Sequence, residues 1–343
     1  MHDEDLLILS GEDVAALLKD QEAEVVDVVQ EAYLTHGAGR SSLPHSTFLR
    51  FPGDEANRII ALPAFLGDGF EVAGVKWISS FPANVQRGMA RASAVLVLND
   101  CRSGRAEAVL EGSLISARRT AASTALGARV LLEGHDPGRI GMIGTGLINF
   151  EIARFLRALI GASRFLLYDL NGGRAGHFAA ALTRTLEGGV EAAVAESVEE
   201  VLSACPLTSF ATTAIHPHVH DLSVSPPGAT ILHVSLRDLA PEVILACDNV
   251  VDDVDHVCRA QTSVHLAEQA TGGREFIRCT LSDILKGDAP ARRGDGSITV
   301  FSPFGLGVLD VAVGKLVLDR ARAAGRGMRI ESFLPQGMGE FPA

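Results

Sequence analysis

Residues 139–156 read RIGMIGTGLINFEIARFL. An apolar run enters Gly144-x-Gly146 and an amphipathic stretch leaves it, which is the order strand, glycine turn, helix. Such a turn suits a dinucleotide. The first glycine permits the bend, the second lets backbone approach a pyrophosphate, and the helix N-terminus offers free N–H groups and a positive dipole end. Asn149 stands where the usual pattern has a third glycine. A second strand-like run, RFLLYDLN (164–171), ends in Asp169, about twenty residues on, where an acid holds a ribose. The expected cofactor residues are therefore Gly144, Thr145, Gly146, Leu147, Ile148, Asp169, Leu170, Asn171 and Arg174. The acid favours NAD by repelling a 2′-phosphate, while Arg174 keeps NADP open.

Outward from this turn, short apolar strands alternate with helices: VEAAVA (190–195), LTSFATT (207–213), ATILHVS (229–235) and NVVDDV (249–254). That alternation predicts an α/β fold, a doubly wound parallel (Rossmann) sheet over 135–304. Before it the grammar differs. Ser10, with Asp13 three residues on, opens one helix that carries Val14, Leu17, Leu18, Val25, Val28 and Val29 and ends by Gly37. Five strand-like runs follow (STFLRF, NRIIALPAF, VAGVKWISSF, ASAVLVLND and AEAVLEG), then an Ala- and Leu-rich helix over 113–132. The tail GLGVLDVAVGKLVLDRARAAG (305–325) reads as a helix that returns to this first part. Residues 1–134 with 305–343 are thus expected to form an α+β domain.

The formal charge of −12 argues against a nucleic-acid or anionic-membrane surface, since both need a basic face. No basic segment followed by an apolar one begins the chain, and no uncharged apolar run spans a bilayer. A soluble, cytoplasmic protein is expected. Five scattered cysteines have no metal or redox spacing and read as reduced thiols.

Among four lysines, Lys76 lies in the apolar VAGVKWISSF, either as a snorkelling edge residue or as a functional cation. Arg118 and Arg119 sit in mid-helix. HPHVHD (216–221) could offer two metal ligands but no obvious third, so no metal is assigned. Asp310, early in the last helix, reads as a cap or as a ligand for a substrate amine, with capping preferred.

GVKWISSFPAN, RASAVLVLND, SGRAEAVLEGSLISARRTAASTALGARVL, GMIGTG, ATTA and GLGVLD together resemble the ornithine cyclodeaminase/mu-crystallin family from end to end. The wording KWISSFPAN, HVSLRDLAPE and SPFGLGVLD is most similar to its 2,3-diaminopropionate-forming branch. That resemblance implies oxidative cleavage of N-(2-amino-2-carboxyethyl)-L-glutamate by NAD⁺, giving L-2,3-diaminopropionate and 2-oxoglutarate for a siderophore or peptide antibiotic. It implies Lys76 and Arg119 on the amino acid's α-carboxylate, and Thr212 and Thr213 beside the nicotinamide. It also implies a homodimer through the first domain, which binds substrate, and a pyridoxal-phosphate-dependent synthase as pathway partner.

The departures matter. The family's Pro-x-Arg is Pro44-His45-Ser46 here, and Leu236 stands near the place of the cyclodeaminase aspartate, with Asp238 two residues on. Ornithine cyclisation is thereby put in doubt. Three substrate carboxylates call for several cations, so Arg50, Arg91 and Arg237 join Lys76 and Arg119 as candidates, with His45 near them. Hydrolysis of the imine needs a group of intermediate pKa, for which His45, His233 and Asp238 are candidates, and Lys76 is counted with the catalytic residues. A cyclodeaminase or imine reductase, and a non-catalytic dinucleotide and ligand binder, remain alternatives.

Overall fold

The computed structural model describes residues 5–333. They divide into two compact units. Unit 1 takes in the described residues up to Gln21, Ala38–Arg119, and those from Leu306 on; unit 2 comprises Glu22–Gly37 and Thr120–Gly305. The expected ends 1–4 and 334–343 of the first domain lie outside the described residues.

Unit 1 carries strands β1 (Leu6–Leu9), β2 (Ser41–Ser42), β3 (Thr47–Phe51), β4 (Asp54–Leu66), β5 (Val72–Ser80), β6 (Ala92–Asp100), β7 (Ala106–Glu111) and β16 (Met328–Ile330). One sheet runs β16-β1-β7-β6-β5-β4-β2, with β3 on β4. Its central strands are antiparallel, while β1 joins β7 in parallel. Helices α1 (Gly11–Leu17) and α11 (Gly307–Ala324) belong to the same unit. α11 lies on β4, β5 and β6. Glycines let it come close: a Cβ at Gly314 would sit 2.4 Å from Leu96 Cδ2, and one at Gly74 would meet Val311 Cγ1 at 3.3 Å. The helix face 307–310–311–314 is therefore the one turned to the sheet.

Unit 2 contains helix α2 (Glu22–Gly37) and a parallel sheet of β8 (Ile140–Ile143), β9 (Arg164–Tyr168), β10 (Glu191–Val194), β11 (Leu207–Phe210), β12 (Thr230–His233), β13 (Asp248–Val251), β14 (Ile277–Thr280) and β15 (Thr299–Ser302). The order is β10-β9-β8-β11-β12-β15-β13-β14, so the winding reverses between β8 and β11. Helices α4 (Leu147–Ile160), α5 (Gly172–Thr185), α6 (Val198–Ala204), α7 (Pro241–Ala246), α8 (Val254–Val257), α9 (Ser263–Thr271) and α10 (Leu281–Lys286) connect the strands. Ile143, Phe210, Ile231, Val251 and Val300 from the strands cluster with Val201, Ile244 and Val264 from the helices. Helix α3 (Gly112–Leu132) carries the chain from one unit to the other after Arg119.

Two readings are corrected. The single helix expected from Ser10 to Gly37 is two: α1 starts in a Ser10–Asp13 capping box, and Asp20, at φ 55°, turns the chain before α2. α2 also belongs to unit 2 rather than to the first domain. Buried Tyr33 bonds Ser123 (2.7 Å), and Arg154 of α4 reaches Glu22 (2.6 Å). The second unit thus begins at Thr120, not at 135, and gains α2.

Candidate functional site

In unit 1 the inward row of the sheet places Lys76 between Leu62 on β4 and Leu96 on β6. The side chain is fully buried, and two partners meet it. Nζ donates to Asp310 Oδ2 (2.7 Å) and to Ser116 Oγ (3.1 Å). Arg119, one turn beyond Ser116 on α3, donates from Nε to Asp310 Oδ1 (2.9 Å) and lies 3.5 Å from the same hydroxyl. Asp310 therefore gives one oxygen to each cation. Burial, then the Arg119 charge, lower the Lys76 pKa against the pull of Asp310, from 10.5 to about 8.

The cluster has two cations and one carboxylate, a net charge of +1 inside the fold while Lys76 is protonated. Among the described residues, the third Nζ proton and the Arg119 Nη1 donors have no hydrogen-bond acceptor. The preferred reading of Asp310 as a cap is corrected: Leu306 is the N-cap of α11, and Asp310 is buried and committed to Lys76 and Arg119. The other proposed cations do not join them. Arg50, on β3, is exposed and lies 5.7 Å from the Phe48 ring centroid. Arg91 is half-buried before β6, His45 is exposed before β3, and Arg237 belongs to unit 2, where it donates to the Ala260 carbonyl (2.7 Å). Arg118 is buried beside Arg119.

In unit 2 the turn is built as its glycines require. Gly144 has φ +89°, and a Cβ there would lie 2.6 Å from Ala211 O. Gly146 caps α4 with no side chain, and a Cβ there would meet nothing within 4 Å. The first amides of α4, Leu147 to Asn149, have no intrahelical acceptor, a donor set that fits a pyrophosphate. Asn149 is more than a tolerated departure: Nδ2 donates to Ile143 O (3.1 Å) and Gly144 O (2.6 Å), and Oδ1 accepts from buried Ser209 (2.7 Å). It ties the turn to β8 and β11.

Asp169 Oδ2 accepts the Thr145 amide (2.9 Å) and hydroxyl (2.7 Å), and Oδ1 accepts the Asn171 amide (3.0 Å). Burial pushes this carboxyl up, but these bonds and Arg174 outweigh it and hold it below its ordinary range. Thr145 is therefore spent on the acid, and Asn171 caps α5 through the Arg174 amide (3.1 Å). Leu147 and Ile148 start α4, Leu170 is 95% exposed, and Arg174 is exposed.

Asp238 is wholly buried after β12. It accepts Thr212 Oγ1 (2.5 Å), Ser235 Oγ, and His218 Nε2 (3.1 Å). Burial raises its carboxyl, while the His233 ring, Ser235 and Thr212 pull it well below the usual carboxylate range. His233 is also fully buried, with Nε2 accepting the Asp238 amide (3.2 Å) and Nδ1 3.4 Å from Ser302 Oγ. Both ring nitrogens are engaged within the fold, one of them on the Asp238 amide. Thr213 is exposed beside Thr212. His220, from the HPHVHD run, pairs with Glu242 (2.9 Å).

A doubly wound unit with a glycine turn, and a second unit holding a buried Lys76–Asp310–Arg119 cluster, define the class: a two-unit α/β protein with a dinucleotide-binding fold. The chain belongs to the ornithine cyclodeaminase/mu-crystallin family, whose profile matches residues 5–325. It is 27% identical to the Staphylococcus aureus N-((2S)-2-amino-2-carboxyethyl)-L-glutamate dehydrogenase, over 93% of this chain and 96% of that one. Thermococcus litoralis Delta(1)-pyrroline-2-carboxylate reductase, solved with NADH and L-proline, superposes with TM-score 0.87 at 26% identity, covering 94% and 100% of the two chains. An archaeal alanine dehydrogenase dimer with bound NAD gives 0.85 at 26%, covering 95% and 99%.

Proposed function

We propose that this chain is an NAD-dependent oxidoreductase of amino-acid C–N bonds that cleaves N-(2-amino-2-carboxyethyl)-L-glutamate to L-2,3-diaminopropionate and 2-oxoglutarate. One observation carries the amino-acid part: the buried Lys76–Asp310–Arg119 cluster, in which both cations keep donors with no acceptor among the described residues. A buried group of charge +1 is neutralised by one carboxylate, and every α-amino acid presents one. The particular substrate is supported by the branch wording KWISSFPAN and HVSLRDLAPE and by the likeness to the S. aureus dehydrogenase.

Gly144, Gly146 and the first amides of α4 would hold the NAD pyrophosphate, and anionic Asp169 would accept from the ribose and repel a 2′-phosphate. The bound nicotinamide supplies a hydride acceptor. Lys76 and Arg119 fix the glutamyl carboxylate and so orient its Cα–H, and orientation supplies much of the acceleration. Oxidation at Cα gives an imine. Water adds to it, and the C–N bond breaks, leaving the ketone on 2-oxoglutarate and the amine on diaminopropionate.

The protein is read as a homodimer. Ala61, Trp77 and Val95 align across β4, β5 and β6 on the face turned away from α11, where Trp77 and Val95 are exposed.

The test is NADH absorbance after mixing protein and NAD⁺ with N-(2-amino-2-carboxyethyl)-L-glutamate, L-alanine or L-ornithine in separate cuvettes. NADH together with 2-oxoglutarate from the first is expected. NADH from alanine alone replaces the substrate, and proline with ammonia from ornithine without net NADH makes the chain a cyclodeaminase.

A further inference from the structure

Hydrolysis of the imine needs a group that can take and return a proton, and the polar residues of unit 2 are not equivalent for it. In doubly wound sheets ligands lie outside the carboxyl ends of the strands, where the winding reverses. Here that point is between β8 and β11. Thr212 follows β11, and Ser235 and Asp238 follow β12. The segment carrying His218 is fastened to the loop that follows β12: the amides of His218 and Val219 both donate to Asp238 O (2.9 Å each), and Val219 bridges to Leu239.

The side chains complete the pair. His218 Nε2 lies 3.1 Å from Asp238 Oδ1, and the carboxylate is 0% exposed while the imidazole is 42% exposed. Asp238 is held anionic by its hydrogen bonds, so Nε2 must carry the hydrogen of this contact. In neutral His218 the lone pair is then on Nδ1, which has no hydrogen-bond partner among the described residues. A partly exposed imidazole whose far nitrogen is aimed by a buried carboxylate is a base that becomes a stabilised acid on protonation. His233 lacks the free nitrogen. His220 lacks the buried partner, since its Glu242 is exposed.

We infer that His218, oriented by Asp238, is the general acid–base catalyst of imine hydrolysis. Nδ1 removes a proton from water as the oxygen bonds to the iminium carbon, giving a carbinolamine and an imidazolium paired with Asp238. The imidazolium then protonates the nitrogen. As the C–N bond breaks, its electrons go to nitrogen, the hydroxyl proton returns to Nδ1, and a ketone and an amine leave. No oxidant beyond the NAD⁺ already used is required.

This inference rests on the proposed oxidative cleavage, and the experiment separates the two. Wild type, His218→Gln and His218→Ala are mixed with NAD⁺ and N-(2-amino-2-carboxyethyl)-L-glutamate, and with L-alanine, and NADH is followed by stopped flow. In the variants a first-turnover burst near one NADH per active subunit is expected to persist. Steady-state turnover should fall about 10²- to 10⁴-fold, and imidazole should restore part of it to the alanine variant. NAD affinity, read by fluorescence titration, should stay within about twofold of wild type, since the turn at Gly144 and Gly146 is untouched. Wild-type steady-state rates in both variants would overturn the dyad alone, as would loss of the burst with no imidazole rescue. A wild type that forms no NADH from either amino acid would overturn the oxidative reading and the dyad with it.

Discussion

Lys76→Met separates what the buried cluster costs from what it does. Burial between Leu62 and Leu96 and the Arg119 charge lower the lysine from 10.5 to about 8, a difference of about 2.5 units, or about 3 kcal/mol against the protonated form. Below about pH 8 folded and unfolded chains both hold the proton, and the cost is present in full. Between about 8 and 10.5 only the unfolded chain holds it, so wild-type stability climbs with pH. Methionine keeps the side-chain volume and leaves Asp310 paired with Arg119. It removes the titration. The stability difference, variant minus wild type, should therefore shrink by about 2 kcal/mol between pH 7 and about 9.5, where 1.5 of the 2.5 units are traversed. Urea unfolding reads this directly, because the single tryptophan, Trp77, neighbours Lys76 on β5. Parallel stability curves for the two proteins would refute the depressed lysine. The same variant should lose amino-acid oxidation while titrating NAD as wild type does, because the turn lies in the other unit. A wild-type rate would remove Lys76 from the carboxylate site.

Asn149→Gly restores the usual third glycine, yet it should weaken the protein. Ile143 O and Gly144 O lose a donor and buried Ser209 loses its acceptor, which costs about 1–3 kcal/mol and loosens the cofactor turn. An unchanged melting temperature and NAD affinity would return Asn149 to a passive role. Trp77→Arg places a charge in the exposed apolar row of β4, β5 and β6 and, if the proposed dimer forms through that row, should give monomers in light scattering at concentrations where wild type gives the mass of a dimer. Wild-type mass in that variant would move the subunit contact elsewhere.

What the sequence made legible was what depends on near neighbours. The turn at Gly144 needs only a strand before it and a helix after; strand-like runs set apart by Gly, Pro, Asn and Asp located β3 to β7, and alternation with helices located β8 to β13. Contacts between distant segments were not written in that way. The periodicity of Val14 and Leu18 runs on to Val25 and Val29, so nothing local marks the left-handed Asp20 as a break. That α2 belongs with the dinucleotide unit depends on Tyr33 meeting Ser123, ninety residues away. Strand β16, at the sheet edge, has three residues and β1 beside it has four, both too short for their own period to speak.

Asp310 shows where the missing information was nonetheless present. Its place in the first turn of α11 invited a capping reading, which considers only the helix's own amides. Gly307 stands three residues before it and Gly314 four after, so all three lie on one helical face. Glycines on an apolar helix mark the side pressed closest to its neighbour, and a Cβ at Gly314 would indeed collide with Leu96. A carboxylate on that side is cut off from water and must find a cation in the facing sheet. Among the inward-facing residues of β4, β5 and β6, Lys76 stands between leucines and has only the neutral Ser116 hydroxyl beside it without Asp310. The two oddities, a lysine in an apolar strand and an acid in an apolar helix, each explain the other. Arg119 makes the sum positive, and that surplus charge is the reason the cluster is read as a receiver for an acid rather than as a closed ion pair.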